Sequence, residues 1–467
     1  MSFFLYVLPL VSFIEVIIVV KKKGGDVKVC KDARRALFFF FPFFLLTQSL
    51  MDFGLERTRR LLDALDRPDE RIKIVHVAGT NGKGSVCAYI ASVLRTCGYS
   101  VGRFNSPHLI EPRDSINVNG QAISQIDYNH AVETIDRLDK SEKIGATSFE
   151  RLVATAFYLF DQHHIEFVVL EVGLGGRYDA TNAIGRPMMC IITAIGMDHA
   201  NILGNTIEEI AYAKAGIMKP GCPVVIAPQD NSAALDTLEN YARQIQCPYK
   251  LAMAAEWIGP QMCSLSVDKQ EYTYPIQLNG DYQRMNSGTA VTALDWLHQL
   301  GVIQLAADQL AAGMAKTLWP GRLDWITSAR VPKLKMFHLD DILVDGAHNP
   351  PAATALHRHV ESLRKKRVIW IIGATAGKDI KDMLHQLVKP EDALLAVPFS
   401  QPEGMPWIQS IDPSEIASHV KGASSWCSLE QALKEAGTLR QPKDIVVLCG
   451  SLYLVADFYR LCESNLI

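Results

Sequence analysis

Residues 79–85 read Gly-Thr-Asn-Gly-Lys-Gly-Ser, which is three glycines, one lysine and two hydroxyl side chains in seven positions. Gly79, Gly82 and Gly84 let the backbone curl so that several N–H groups face one anion, and Lys83 adds a full positive charge. Thr80, Asn81 and Ser85 supply further polar atoms to the same cradle. The chemistry is phosphate binding, and a nucleoside triphosphate is the natural occupant. The string departs from G-x-x-x-x-G-K-[ST] twice: Val77 stands where the first glycine would be, and Gly84 intervenes before Ser85. A second chemical residue is Glu171, which closes the apolar run Phe-Val-Val-Leu-Glu-Val at 167–172. A third is Lys214. Thr206 and Glu209 form a capping box, and Lys214 then falls seven residues after Ile207 and four after Ile210, on the apolar face of the helix they start. An inward lysine needs a partner or must lose its charge; a lysine snorkelling at the helix rim is the plainer alternative.

These residues need elements to position them. The run 72–77 predicts a strand feeding the glycine loop. Val86, Tyr89, Ile90, Val93, Leu94 and Cys97 predict the helix that follows, with Gly98 as its stop. Further strands are expected at 167–172, 190–195, 224–227, 342–344, 368–372, 393–397 and 445–449, with helical stretches between most of them. Strand alternating with helix is the sequence form of a largely parallel sheet. Glu171 would then sit at the carboxyl edge of the sheet, where open α/β folds bind ligands. The Pro320-Gly321 pair marks a break. The expectation is an α/β chain: a P-loop-type ATPase domain over 51–320, then a smaller Rossmann-like domain over 325–467.

Composition narrows the class. At 467 residues with 48% hydrophobic and 21% charged, the chain has the make-up of a globular protein with a sizeable core. Its 47 basic against 50 acidic residues give a net charge of -3, which offers no electrostatic footprint for nucleic acid. Ten cysteines without a Cys-x-x-Cys pair or metal-like spacing read as reduced thiols in a cytoplasmic protein. Residues 1–20 are apolar but for Ser2, Ser12 and Glu15 and precede Lys21, Lys22 and Lys23. This segment reads as a tail outside a chain that starts at Met51, as a membrane anchor over residues 1–23, or as an extra buried element.

The phosphate loop resembles that of the folylpolyglutamate synthase/dihydrofolate synthase family, a branch of the Mur ligase superfamily. Further strings match in the family's order: Asn105 to Leu109, Leu170 to Arg177, Asp179 to Asn182, Asp198-His199, Lys214 to Gly216, Pro320 to Arg322 and Asp345 to Pro350. The resemblance spans 53–467 and leaves 1–50 outside.

It implies an ATP-dependent amide ligase joining L-glutamate to dihydropteroate, to the glutamate tail of folates, or to both, through an acyl phosphate. It implies Mg²⁺, as two ions, held by Ser106, Glu171 and His199, although Mg²⁺ prefers oxygen ligands and His199 also reads as a helix-entry or core histidine. It implies that Lys214 is carbamylated. Asn286 and Arg322 would contact adenine and phosphate, and Asp345 and His348 would face the nucleotide and the incoming glutamate. Asp345 to Asn349 also read as a strand-to-helix turn, with Asn349 capping and Pro350 at the first helical position. Thr147, Phe149 and Asp179 would hold the pterin and lean the reading towards a bifunctional enzyme, although Phe149 also suits a core. Family members of this kind act on small molecules, and a monomer is expected. Two other readings are a Mur-type ligase of peptidoglycan precursors, whose loop places Thr directly after the lysine, and a non-catalytic nucleotide-binding protein of the same fold.

Overall fold

The computed structural model describes residues 54–462 except 364–366, 378–379, 404 and 406, together with the backbone of three N-terminal strands. Those strands, Phe3–Tyr6, Ile17–Lys21 and Val27–Val29, pair antiparallel within a unit of their own, residues 1–53. The rest of the apolar runs 1–20 and 38–46 lies outside the described residues. Among the described residues no helix is long and apolar enough to cross a membrane.

The second unit is built on two main sheets. The first has eight strands in the spatial order 249–251, 224–226, 189–192, 73–78, 167–171, 101–104, 116–118, 121–122. The first six run parallel and the last two are antiparallel at the edge. Lys73–Ala78 is central because all but its first residue is buried, as a parallel strand covered on both faces requires. It leads into the helix Lys83–Thr96, which is apolar on most sides and packs against the helices Gln283–Gln299 and Ala307–Ala315. The second sheet has the order 324–327, 341–344, 445–449, 368–372, 393–396, 424–425, parallel except for its first strand. This is the α/β architecture with a second, smaller sheet that the alternating pattern implied. A three-stranded antiparallel meander, Glu256–Gly259, Met262–Val267 and Gln270–Pro275, was not expected and closes the core beside the phosphate-loop helix.

Several expected strand ends differ by one residue, and one strand and one helix differ by more. The strand expected at 190–195 spans Met189–Ile192, because the next residues turn onto the phosphate loop: Thr193 N–H donates to Ala78 O at 2.8 Å and Thr80 N–H donates to Ala194 O at 2.9 Å. Ile207, Ile210, Ala211 and Met218 read as the apolar positions of the helix capped by Thr206 and Glu209, but it ends at Ala215, so Met218 is buried beyond it rather than on it.

Candidate functional site

The central strand delivers the glycine loop at the carboxyl edge, between the strands ending at Ile192 and Glu171. Gly82 caps the following helix at φ +91°, and a Cβ there would lie 2.3 Å from Asn286 Oδ1. At Gly84 a Cβ would lie 2.2 Å from Cζ2 of Trp319. Asn286 and Trp319 therefore wall the loop directly. The Thr80 hydroxyl donates to Gly196 O and accepts from Gly196 N–H, both at 3.0 Å, and Lys83 Nζ donates to Thr80 O at 3.2 Å. Gln283 ties Ser85 to Asn286: its Nε2 donates to Ser85 Oγ at 3.3 Å and its Oε1 accepts from Asn286 Nδ2 at 3.0 Å.

Glu171 stands beside this cradle with Oε1 3.8 Å from Lys83 Nζ, while Oε2 accepts from Asn105 Nδ2 at 2.7 Å. Burial pushes its carboxyl above the usual range, opposed by Lys83, the Asn105 hydrogen bond, Arg322 and Arg103. Burial brings the Arg103 guanidinium down to about 10, and it lies 4.9 Å over the Trp319 ring. Ser106 Oγ, next in the chain to Asn105, is buried and has no hydrogen-bond partner among the described residues. An orphaned hydroxyl near a buried carboxylate suits a hard divalent cation that keeps water and phosphate oxygens as its other ligands. Among the described residues no group of three or more His, Cys, Asp and Glu could hold a metal by itself.

On the other side, Lys214 is 5% exposed and donates from Nζ to Gly79 O at 2.8 Å. Burial pushes its amine down to about 7; Lys83 acts in the same direction, and Asp198 and Asp179 oppose it. Asp198 Oδ2 accepts from Asn349 Nδ2 at 3.0 Å and lies 3.8 Å from His348 Nε2 and 3.9 Å from His199 Nε2. His199 has φ +53° and a side chain 44% exposed. Asn349 also caps the helix Pro350–Ser362 by accepting from Ala352 N–H at 3.0 Å, so capping and contact across the cleft coexist. His348 Nδ1 is 2.9 Å from Gly346 O, which a carbonyl permits only if that nitrogen carries the proton. Asp345 is buried and accepts from Leu323 N–H at 2.8 Å and Ala347 N–H at 2.7 Å. Its carboxyl is pushed up by burial and held back by Arg322.

Thr147, Phe149 and Asp179 divide. Thr147 is exposed and caps the helix Ser148–Gln162 in a capping box with Glu150. Phe149 is half-buried against Phe104, with ring centroids 6.2 Å apart. Asp179 is buried, and a Cβ on Gly173 would meet Phe149 Cζ at 2.6 Å and Asp179 Oδ2 at 3.2 Å. Phe149 and Asp179 therefore adjoin across Gly173. Residue types alone missed Asn105, Asp198, Gln283 and Arg103. Asn105 and Asp198 sit inside strings that resemblance singled out, Gln283 lies three residues before Asn286, and the signal for Arg103 was a lone charge in Val-Gly-Arg-Phe.

Comparison with known proteins gives this site a context. Residues 77–294 match the Mur ligase middle domain and residues 337–461 match the dihydrofolate synthetase C-terminal domain. A probable dihydrofolate synthetase of Schizosaccharomyces pombe is 39% identical over 423 residues, covering 88% of this chain and 99% of the relative. The Escherichia coli FolC structure in complex with DHPP and ADP superposes with a TM-score of 0.77 at 26% identity, covering 91% of this chain and 97% of that one. A bifunctional folylpolyglutamate synthase/dihydrofolate synthase with Mn, AMPPNP and L-glutamate bound superposes with a TM-score of 0.75 at 27% identity, covering 90% and 97%.

Proposed function

Because this chain belongs to the dihydrofolate synthase/folylpolyglutamate synthase family of Mur-type ligases, we propose that the cleft joins L-glutamate to dihydropteroate, forming one amide bond for each ATP consumed. The observation that carries this reading is the juxtaposition of a phosphate cradle, a buried carboxylate and an orphaned hydroxyl at one sheet edge, faced by His348 and Asn349 from the second sheet. Dihydropteroate is favoured as acceptor because the family match at the C-terminal end and the 39% identical relative are both of the dihydrofolate synthetase kind.

A carboxylate is a poor electrophile, so the acceptor's carboxylate takes the γ-phosphoryl group to become an acyl phosphate. The glutamate amine then attacks the acyl carbon, and phosphate leaves. The chain's own work is positioning and charge stabilisation. The loop amides and Lys83 hold the phosphates, and Gln283 fixes Ser85 and Asn286 beside them. Arg322, whose charge acts on both Asp345 and Glu171, adds positive charge to the site. Asp198 holds the His348–Asn349 turn against the nucleotide side. Ser106 and Glu171, with His199, are the residues that would hold divalent metal, which when bound screens the triphosphate charge.

We assign Lys214 as the site of a carbamate. Its buried amine is poised to be neutral, as attack on carbon dioxide requires; the new N–C bond forms as one proton leaves, and the side chain becomes an anion. An ATP- and glutamate-dependent ligation assay run separately with dihydropteroate and with a tetrahydrofolate tests the reading. Turnover with dihydropteroate is expected, and no turnover with either acceptor would leave a nucleotide-binding protein without ligase activity.

A further inference from the structure

His76 is a fully buried titratable residue that no step above uses. It lies on the central strand three residues before Gly79, and its Nε2 is 2.9 Å from Thr181 Oγ1. The Thr181 hydroxyl reaches Asp179 Oδ1, which also accepts from Thr181 N–H at 3.0 Å. Asp179 Oδ2 accepts from Leu174 N–H at 2.8 Å and faces Gly173 and Phe149. The proton directions in this chain follow from the end group. Burial pushes the Asp179 carboxyl up, and the hydrogen bonds it accepts from Thr181, Leu174 and Gly173 oppose this by favouring the anion; as the anion it only accepts, so the single Thr181 hydroxyl proton goes to Asp179 and the hydroxyl oxygen must accept from His76. Only the Nε2–H tautomer of His76 allows both links. Its Nδ1, buried with no partner among the described residues, is then an unprotonated acceptor. Burial and the nearby Lys219 keep the ring neutral, with the pKa lowered to about 3, so it takes up no second proton near neutral pH.

We propose that His76 is a positioning residue for the pterin subsite: by donating to Thr181 it commits the Thr181 hydroxyl to Asp179 Oδ1 and leaves Oδ2 as the carboxylate oxygen presented across Gly173 beside the Phe149 ring. The proposal rests on the reading of Asp179 and Phe149 as the pterin side of the site. It ties the strand that launches the phosphate loop to the group that orients the acceptor, through one buried chain of two hydrogen bonds. Without His76 the hydroxyl keeps its proton but loses the donor that polarises and orients it, and the carboxylate gains freedom to turn.

Steady-state kinetics of His76→Leu, His76→Gln, Thr181→Val, Thr181→Ser and Asp179→Asn test this, with thermal melting to confirm folding. His76→Leu and Thr181→Val are each expected to raise KM for dihydropteroate about tenfold or more, with KM for ATP changed less than about twofold. His76→Gln, which keeps an N–H donor, and Thr181→Ser, which keeps the hydroxyl, should recover most of that loss. The double variant His76→Leu/Thr181→Val should be no worse than Thr181→Val, because both break one chain. If the Leu and Gln variants of His76 behave alike, or KM for ATP rises in step, the relay is wrong and His76 only fills space. An Asp179→Asn variant with unchanged KM for dihydropteroate would instead remove the pterin assignment itself.

Discussion

Lys214 Nζ donates to the carbonyl oxygen of Gly79 at 2.8 Å, so the helix after the Thr206–Glu209 capping box holds the first residue of the phosphate loop directly. A buried ammonium that feels the charge of Lys83 is costly, and burial lowers its proton affinity, with no carboxylate at contact distance among the described residues.

That relationship gives a test of the carbamate. Enzyme incubated with ¹³C-labelled bicarbonate should show one carbamate carbon resonance that disappears in Lys214→Ala. The same variant should fold, bind ATP and lose most turnover, with partial rescue by acetate. A wild-type spectrum without the resonance during full activity would exclude the modification.

The amine also predicts a pH signature in protein free of metal and bicarbonate. Folded Lys214 loses its proton near pH 7, whereas in the unfolded chain it keeps it to about 10.4. Between those values the unfolded state binds more protons, so this group makes stability rise with pH. Its full penalty is present below pH 7 and is gone above about 10.4, with a slope of at most about 1.4 kcal/mol per pH unit. Urea unfolding of wild type and Lys214→Met at pH 7 and pH 9.5 should therefore show the variant's relative stability falling at the higher pH. Parallel curves would mean that the amine is charged in the folded protein.

Lys83→Ala removes the loop's one full charge and the partner 3.8 Å from Glu171. Turnover should fall by about 10²-fold or more with the melting temperature little changed. ATP titration calorimetry on the variant checks the cause, since unaltered affinity together with normal turnover would reduce the loop to a turn.

Gly84→Ala brings a methyl group to 2.2 Å from the Trp319 ring. Either the ring moves or the loop does, at a cost of about 1–3 kcal/mol. The melting temperature should fall and KM for ATP rise, and Trp319→Ala in the same chain should restore part of the melting temperature. No recovery in the double variant would show that the ring is not the obstacle.

Much of this was legible in the chain. The apolar run 72–77, the glycines and the following three-and-four spacing fix a strand, a phosphate loop and a helix because each is a local pattern. The same locality placed Glu171 at a strand end and Lys214 on an apolar helix face, and Thr206 and Glu209 form the capping box that their spacing predicts. What the sequence could not carry is pairing between distant segments. Residues 193–195 look like more of a strand, yet they leave the sheet because Ala78 and Thr80, over a hundred positions earlier, take backbone bonds of Thr193 and Ala194. Thr147, matched to a substrate contact by its string, also caps a helix, a role that only its geometry shows.

By itself, then, the sequence determined the parallel α/β elements, the phosphate chemistry and the family, since periodicity, loop glycines and ordered strings are written along the chain. Only the tertiary structure decided that Asp198 reaches Asn349 across 151 positions, that Asn105 holds Glu171, and that His76 reaches Asp179 through Thr181. Buried polar groups must find partners wherever the fold brings a donor to an acceptor, and that requirement acts through space rather than along the sequence.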